Sequence, residues 1–331
     1  MRPRRRLVLA LALASPVAIV AACGSRTGLL VPVEEAPIDA AVDVARHEAG
    51  RDVLVEEDVV EDDGLPGIDV SPPMTPSDCP DAGSTLIYVI SEDNSLYSFY
   101  PPSGALTRIG AIACPVIDMY DEPFSMAVDQ TGIAYVVFSN SMDSALGGEL
   151  FRVSTATAAC EATSYVVDQI PAFHTFGMGF SQNANGKGET LYLASDPLGS
   201  TPSQLGTLDT TTYELSVVGT FEPEVTGAEL TGTGAGDLFG FSELDAEGDM
   251  AIEQIDKTTA AVVGQTPLPG VVRGYGWAFA FWGGDFYTFT APNGNNTVVT
   301  RYRPSDGTIV QVAQATDIIV GAGVSTCAPQ Q

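Results

Sequence analysis

Three groups of residues have types and spacing that could do chemistry. Asp118, Asp121 and Glu122 stand close together in one polar stretch. Such carboxylates can hold Ca2+ with backbone oxygens, or act as an acid/base pair where burial separates their pKa values. The plainer reading is a solvated acidic loop. Asp245-Ala246-Glu247-Gly248-Asp249 alternates acids beside a glycine, a faint echo of a calcium loop without the later bidentate glutamate. Arg273-Gly274-Tyr275-Gly276-Trp277, with Phe279, Phe281 and Trp282 beyond, offers aromatics and a cation. That set suits a sugar or peptide ring, although aromatics there also serve packing. His174 is the one histidine of the expected folded domain, so a histidine metal cluster is excluded and a nucleophilic triad would depend on it alone. No GxSxG is present.

The elements that must position these residues follow from a repeat. A second-strand signature recurs at Leu86-Ile87-Tyr88-Val89, Ile133-Ala134-Tyr135-Val136, Thr190-Leu191-Tyr192-Leu193, Asp237-Leu238-Phe239-Gly240 and Asp285-Phe286-Tyr287-Thr288. The spacing of about 50 residues is in the range of propeller blades. The preceding strand alternates small and large, as in Gly177-Met178-Gly179-Phe180 and Gly321-Ala322-Gly323-Val324. Small residues on one face suit strands that converge on a crowded axis. The first copy lacks its first strand, and residues 318–327 supply one with nothing after it. The expectation is an all-β, five-bladed β-propeller over 80–331, closed by a composite first/last blade. Its blades are expected at 84–113 plus 318–327, 123–168, 175–221, 227–268 and 275–316. This pattern resembles bacterial repeat propellers related to the YVTN and WD40-like groups. The WD dipeptide is absent, so the resemblance implies architecture and no activity.

The N-terminus reads as an address. Four arginines in Met1–Arg6 precede the uncharged apolar run Leu7–Ala22, a secretory signal. Val20-Ala21-Ala22-Cys23-Gly24 resembles a bacterial lipobox, which implies cleavage after residue 22 and lipid on Cys23. Gly24 does not resemble an inner-membrane retention signal, so the outer membrane is the expected address. Residues 23–79 are acidic with prolines near the end, and are expected to be a disordered tether. The oxidising compartment favours disulfides among Cys79, Cys114, Cys160 and Cys327. Four cysteines allow three pairings. Cys79 with Cys327 would lock the closure and leave Cys114 with Cys160.

Composition bounds the function. The 331 residues carry a formal charge of -28, which excludes nucleic acid as a partner. Acidity serves solubility, or attracts Ca2+ or a cationic partner. Loops after second and fourth strands are the longer, more varied set and gather Glu92, Glu122, Asp196, Glu243, His174, Arg273, Tyr275 and Trp277. Among first-strand acids, Asp129 and Glu229 are not visibly arranged as a pair. The expectation is a lipid-anchored, non-catalytic binding or scaffold protein of the cell envelope, with a protein or glycan ligand and no cofactor beyond Ca2+. The alternatives are a glycan-directed hydrolase or lyase and a purely structural lipoprotein.

Overall fold

Short β-branched and aromatic runs broken by Gly, Asp and Asn turns form twenty strands in the computed structural model, which describes residues 64–72, 79, 86–196, 202–244 and 248–331. The expected signal peptide, Cys23, most of the tether, Asp245 and Glu247 lie outside the described residues. The strands make five antiparallel sheets of four. Blade 1 holds Ile87–Ser91 (β1), Ser95–Tyr100 (β2) and Ala105–Ala111 (β3). Blade 2 holds Asp121–Val128 (β4), Ile133–Asn140 (β5), Gly147–Ser154 (β6) and Cys160–Ala162 (β7). Blade 3 holds Phe176–Gln182 (β8), Glu189–Ser195 (β9), Gln204–Leu208 (β10) and Leu215–Thr220 (β11). Blade 4 holds Glu229–Gly232 (β12), Leu238–Glu243 (β13), Asp249–Ile255 (β14) and Val262–Val272 (β15). Blade 5 holds Trp277–Trp282 (β16), Asp285–Thr290 (β17), Thr297–Arg303 (β18) and Thr308–Ala315 (β19). The last strand, Ile319–Val324 (β20), returns to pair with β1, so the composite blade is present.

The inner strands β20, β4, β8, β12 and β16 each contact the next around the ring. Their small residues are a steric requirement. A Cβ on Gly177 would stand 1.9 Å from the Ala228 carbonyl oxygen, and one on Gly323 2.8 Å from Val128 backbone nitrogen. The recurrent aromatics Tyr88, Tyr135, Tyr192, Phe239 and Tyr287 are all buried. Five apolar clusters result, one at each junction between neighbouring blades.

Both disulfides form. Cys79–Cys327 spans 248 residues and ties the chain before β1 to the segment after β20. Cys114–Cys160 joins the loop after blade 1 to the outer strand of blade 2. The expected tether differs in one part, because residues 64–72 dock on blade 4. Leu65 packs at the junction of blades 3 and 4, and Ile68 and Val70 at the junction of blades 4 and 5. Gln265 N–H donates to the Pro66 carbonyl at 2.7 Å, and Ser71 N–H to Asp237 Oδ2 at 2.9 Å. These apolar side chains offset the ordering cost that the acidic composition alone would not.

Candidate functional site

The start of β4 builds one wall of a cavity at the loop-rich end of the propeller axis. Register slips between Pro123 and Ser125, a bulge at Phe124 that re-aims the side chains around it. Glu122 and Phe124 face the cavity, and Asp121 points elsewhere. Blade 1 contributes Glu92, whose N–H donates to the Ile318 carbonyl at 2.9 Å, together with Val320. Blade 5 contributes Tyr275, Gly276 and Trp277. The turn before β16 needs glycine, because Gly274 has φ +73° and a Cβ there would meet the Ala291 carbonyl oxygen at 2.1 Å. The cavity volume is about 140 Å3, and Glu92 and Tyr275 are exposed at its mouth.

Two carboxylates therefore face a cavity with three aromatic walls. Burial raises the Glu122 carboxyl above the usual range, and the charge of Glu92 adds to this. Burial also raises Glu92, with help from Asp93. Among the described residues neither glutamate belongs to an ion pair. Arg273 is committed nearby. It pairs with Glu243 at 3.4 Å, and its guanidinium carbon lies 3.3 Å from the centre of the Trp277 ring. Trp277 is further fixed by its indole N–H, which donates to the Gly227 carbonyl at 3.2 Å, and by an edge contact with Phe124.

Closer to the axis, Glu229 is fully buried and accepts a hydrogen bond from Ser125 Oγ at 2.8 Å. Burial holds its carboxyl well above the ordinary range, opposed by Ser125. Asp196 is raised by burial, and Arg273 opposes that rise. These groups set the floor and electrostatics of the site rather than its lining.

The remaining sequence candidates fall in a different place. Asp118, Asp121 and His174 line a second cavity on blade 2, about 300 Å3, with Ile117, Leu146, Glu149, Val167 and Asp168. Asp121 is used structurally: it accepts from the Asp118 N–H at 2.8 Å and from Asn140 Nδ2 at 2.8 Å. His174 Nδ1 lies 2.8 Å from Asp168 Oδ1, and Nε2 lies 3.1 Å from the Leu146 carbonyl. Burial pulls the His174 pKa down, and these two acceptors outweigh it to leave the value raised. Asp118 and Asp121 thus do not converge with Glu122. Among the described residues no three His, Cys, Asp or Glu side chains come together to hold a metal.

Of the residues singled out by sequence, Glu92, Glu122, Tyr275 and Trp277 meet in the axial cavity, with Arg273 at its edge. Phe124 joins them and carries no motif, while Ser125 and Glu229 lie outside the lining. Glu229 was visible as an acid within a first strand.

The opposite end of the axis is closed by the C-terminal segment. Gln130 Nε2 donates to Gln182 Oε1 at 2.8 Å and to Thr326 Oγ1 at 2.9 Å. Thr326 Oγ1 donates to Glu189 Oε2 at 2.8 Å, and the Gln130 N–H to Glu189 Oε1 at 2.6 Å. Burial pushes Glu189 up to about 7. Gly234 N–H donates to Gln330 Oε1 at 3.1 Å, and Gly283 N–H to the Pro329 carbonyl at 2.7 Å.

No protein-family model matches the chain, and no curated protein matches it. Solved structures do. A chain of a nidogen/laminin complex is 8% identical with a TM-score of 0.46, over 73% of this chain and 99% of that one. TolB from Acinetobacter baumannii is 14% identical with a TM-score of 0.39, over 71% of this chain and 54% of that one. A gluconolactonase from Xanthomonas campestris is 15% identical with a TM-score of 0.40, over 62% and 68%. Likeness at this level lends nothing to the chemistry, and the propeller rests on the chain's own sheet order.

Proposed function

We propose that this chain is an envelope lipoprotein whose propeller binds a protein or glycan segment at the axial cavity and catalyses no reaction. A lipid on Cys23 anchors it, the acidic segment spaces the domain from the outer membrane, and the ligand enters from the loop-rich end. One observation carries the binding reading: residues of three blades converge on one cavity at that end, and the chain's own tail closes the other. The anchor is supported by Val20-Ala21-Ala22-Cys23-Gly24 directly after an uncharged apolar run.

Two measurements test this. Cys23→Ser should move the protein from the membrane fraction to the soluble fraction, and unchanged membrane association would sink the anchor. Glycan and peptide arrays probed with the full chain should give ligands whose signal drops about tenfold or more in Trp277→Leu. Ligands indifferent to that change would place binding elsewhere.

A second reading has its own observation. Glu92 and Glu122 face one cavity with both carboxyls held above the ordinary range, and such a pair can serve as acid and base in glycan cleavage. Release of reducing ends from array-positive glycans, lost in Glu122→Gln, would replace the non-catalytic reading with this one.

A further inference from the structure

We propose that the axial cavity takes an organic ammonium group, held between the Glu92 and Glu122 carboxylates and the Phe124, Tyr275 and Trp277 rings; this rests on the binding reading above. Two acids from different blades line a small shared space, and among the described residues no cation lines it. Arg273, the cation beside the cavity, is spent on Glu243 and Trp277. Its field opposes the raised values at Asp196 and Glu229, whereas the Glu122 carboxyl feels Glu92. A positive group entering the cavity relieves that repulsion and replaces lost solvation with charged hydrogen bonds.

The walls decide which cation. Ca2+ takes six to eight oxygen ligands. Two carboxylates among aromatic rings do not supply them, and among the described residues no third acid lines the cavity. Aromatic faces attract ammonium groups through the ring quadrupole. The volume is about 140 Å3, with Tyr275 exposed at the mouth, which leaves room for a single amine with a short stem. The fold already applies the same chemistry to its own side chains. Arg273 lies on Trp277 with Glu243 beside it, and Lys257 Nζ stands 5.8 Å from the Tyr192 ring centre. The ammonium can come from a lysine side chain or an amino sugar, and the experiment separates these sources.

Trp277 and Trp282 are the two tryptophans of the chain, so full-length Trp282→Phe reports on the cavity through Trp277 alone. Four probes are titrated: an N-acetylated, C-amidated triglycine-type peptide with central lysine, its norleucine counterpart capped in the same way, a glucosamine trimer and its N-acetylated form. The lysine peptide or the glucosamine trimer should shift the emission and bind at least about tenfold more tightly than its neutral counterpart. Which of the two does so identifies the source. Glu92→Gln and Glu122→Gln should each weaken that binding about tenfold, with the melting temperature unchanged or raised. Equal affinity for neutral counterparts overturns the ammonium proposal and leaves the binding reading standing. Binding of none of the four, while an array ligand still acts through Trp277, does the same. If no array ligand acts through Trp277 either, both fall. A shift with CaCl2 alone, abolished by Glu122→Gln, overturns the proposal in favour of a metal.

Discussion

The two ends of the propeller axis handle their acids in opposite ways. At the tail-closed end, both oxygens of Glu189 accept hydrogen bonds, from Gln130 and Thr326, and the tail fills the opening. At the loop-rich end, Glu92 and Glu122 face an open cavity and each other. The same fold thus occupies both oxygens of one acid where the tail closes the axis and leaves two acids repelling each other at the other end.

The largest test of this contrast removes the closure. Cys79→Ser with Cys327→Ser should cost about 2–5 kcal/mol in urea unfolding, because the disulfide restrains a long loop. An unchanged midpoint would show that the tail closes the axis without the staple.

A smaller effect comes from Glu189. The folded carboxyl keeps its proton to about pH 7, whereas the unfolded chain releases it near 4.5. The folded state binds more protons between these values, so stability is greatest below 4.5 and falls as pH rises to about 7. Glu189→Gln should flatten the melting curve over that window, by on the order of 2 kcal/mol. An unaltered slope would mean that the hydrogen bonds keep Glu189 ionised.

The smallest effect lies at the open end. Glu122→Gln should leave stability unchanged or raise it by no more than about 1 kcal/mol, since partial solvent exposure screens the repulsion. A clear loss of stability would show that Glu122 serves the scaffold, and the contrast between the two ends would collapse.

The ring was legible because its determinants are local and repeated. The aromatic at Tyr88 and its four copies, and the glycine alternation at Gly177 and Gly323, each follow from the space between neighbouring blades. The seam between β1 and β20 placed Cys79 beside Cys327. The docked segment was not legible. Leu65, Ile68 and Val70 show no period, and the partners of Ile68 and Ser71, Thr266 and Asp237, lie far along the chain. The site was legible in part. Period two alone sends Asp121 and Glu122 to opposite faces, but the bulge at Phe124 has no sequence marker. Glu92 was legible as an acid of the loop-rich face but not as a neighbour of Glu122, because blades 1, 2 and 5 surround one space only after the chain ends meet.

That meeting has a topological result. With Cys79 bound to Cys327, everything between them is a covalent macrocycle rather than a string of blades. A protease that cuts one loop on the rim opens the circle without detaching any blade. Two cuts are needed to free a fragment, and both must fall inside or both outside the smaller Cys114–Cys160 ring, since one of each leaves the pieces joined by that bond. A singly nicked molecule should therefore migrate as one species in denaturing gels until reductant is added, and then separate into two.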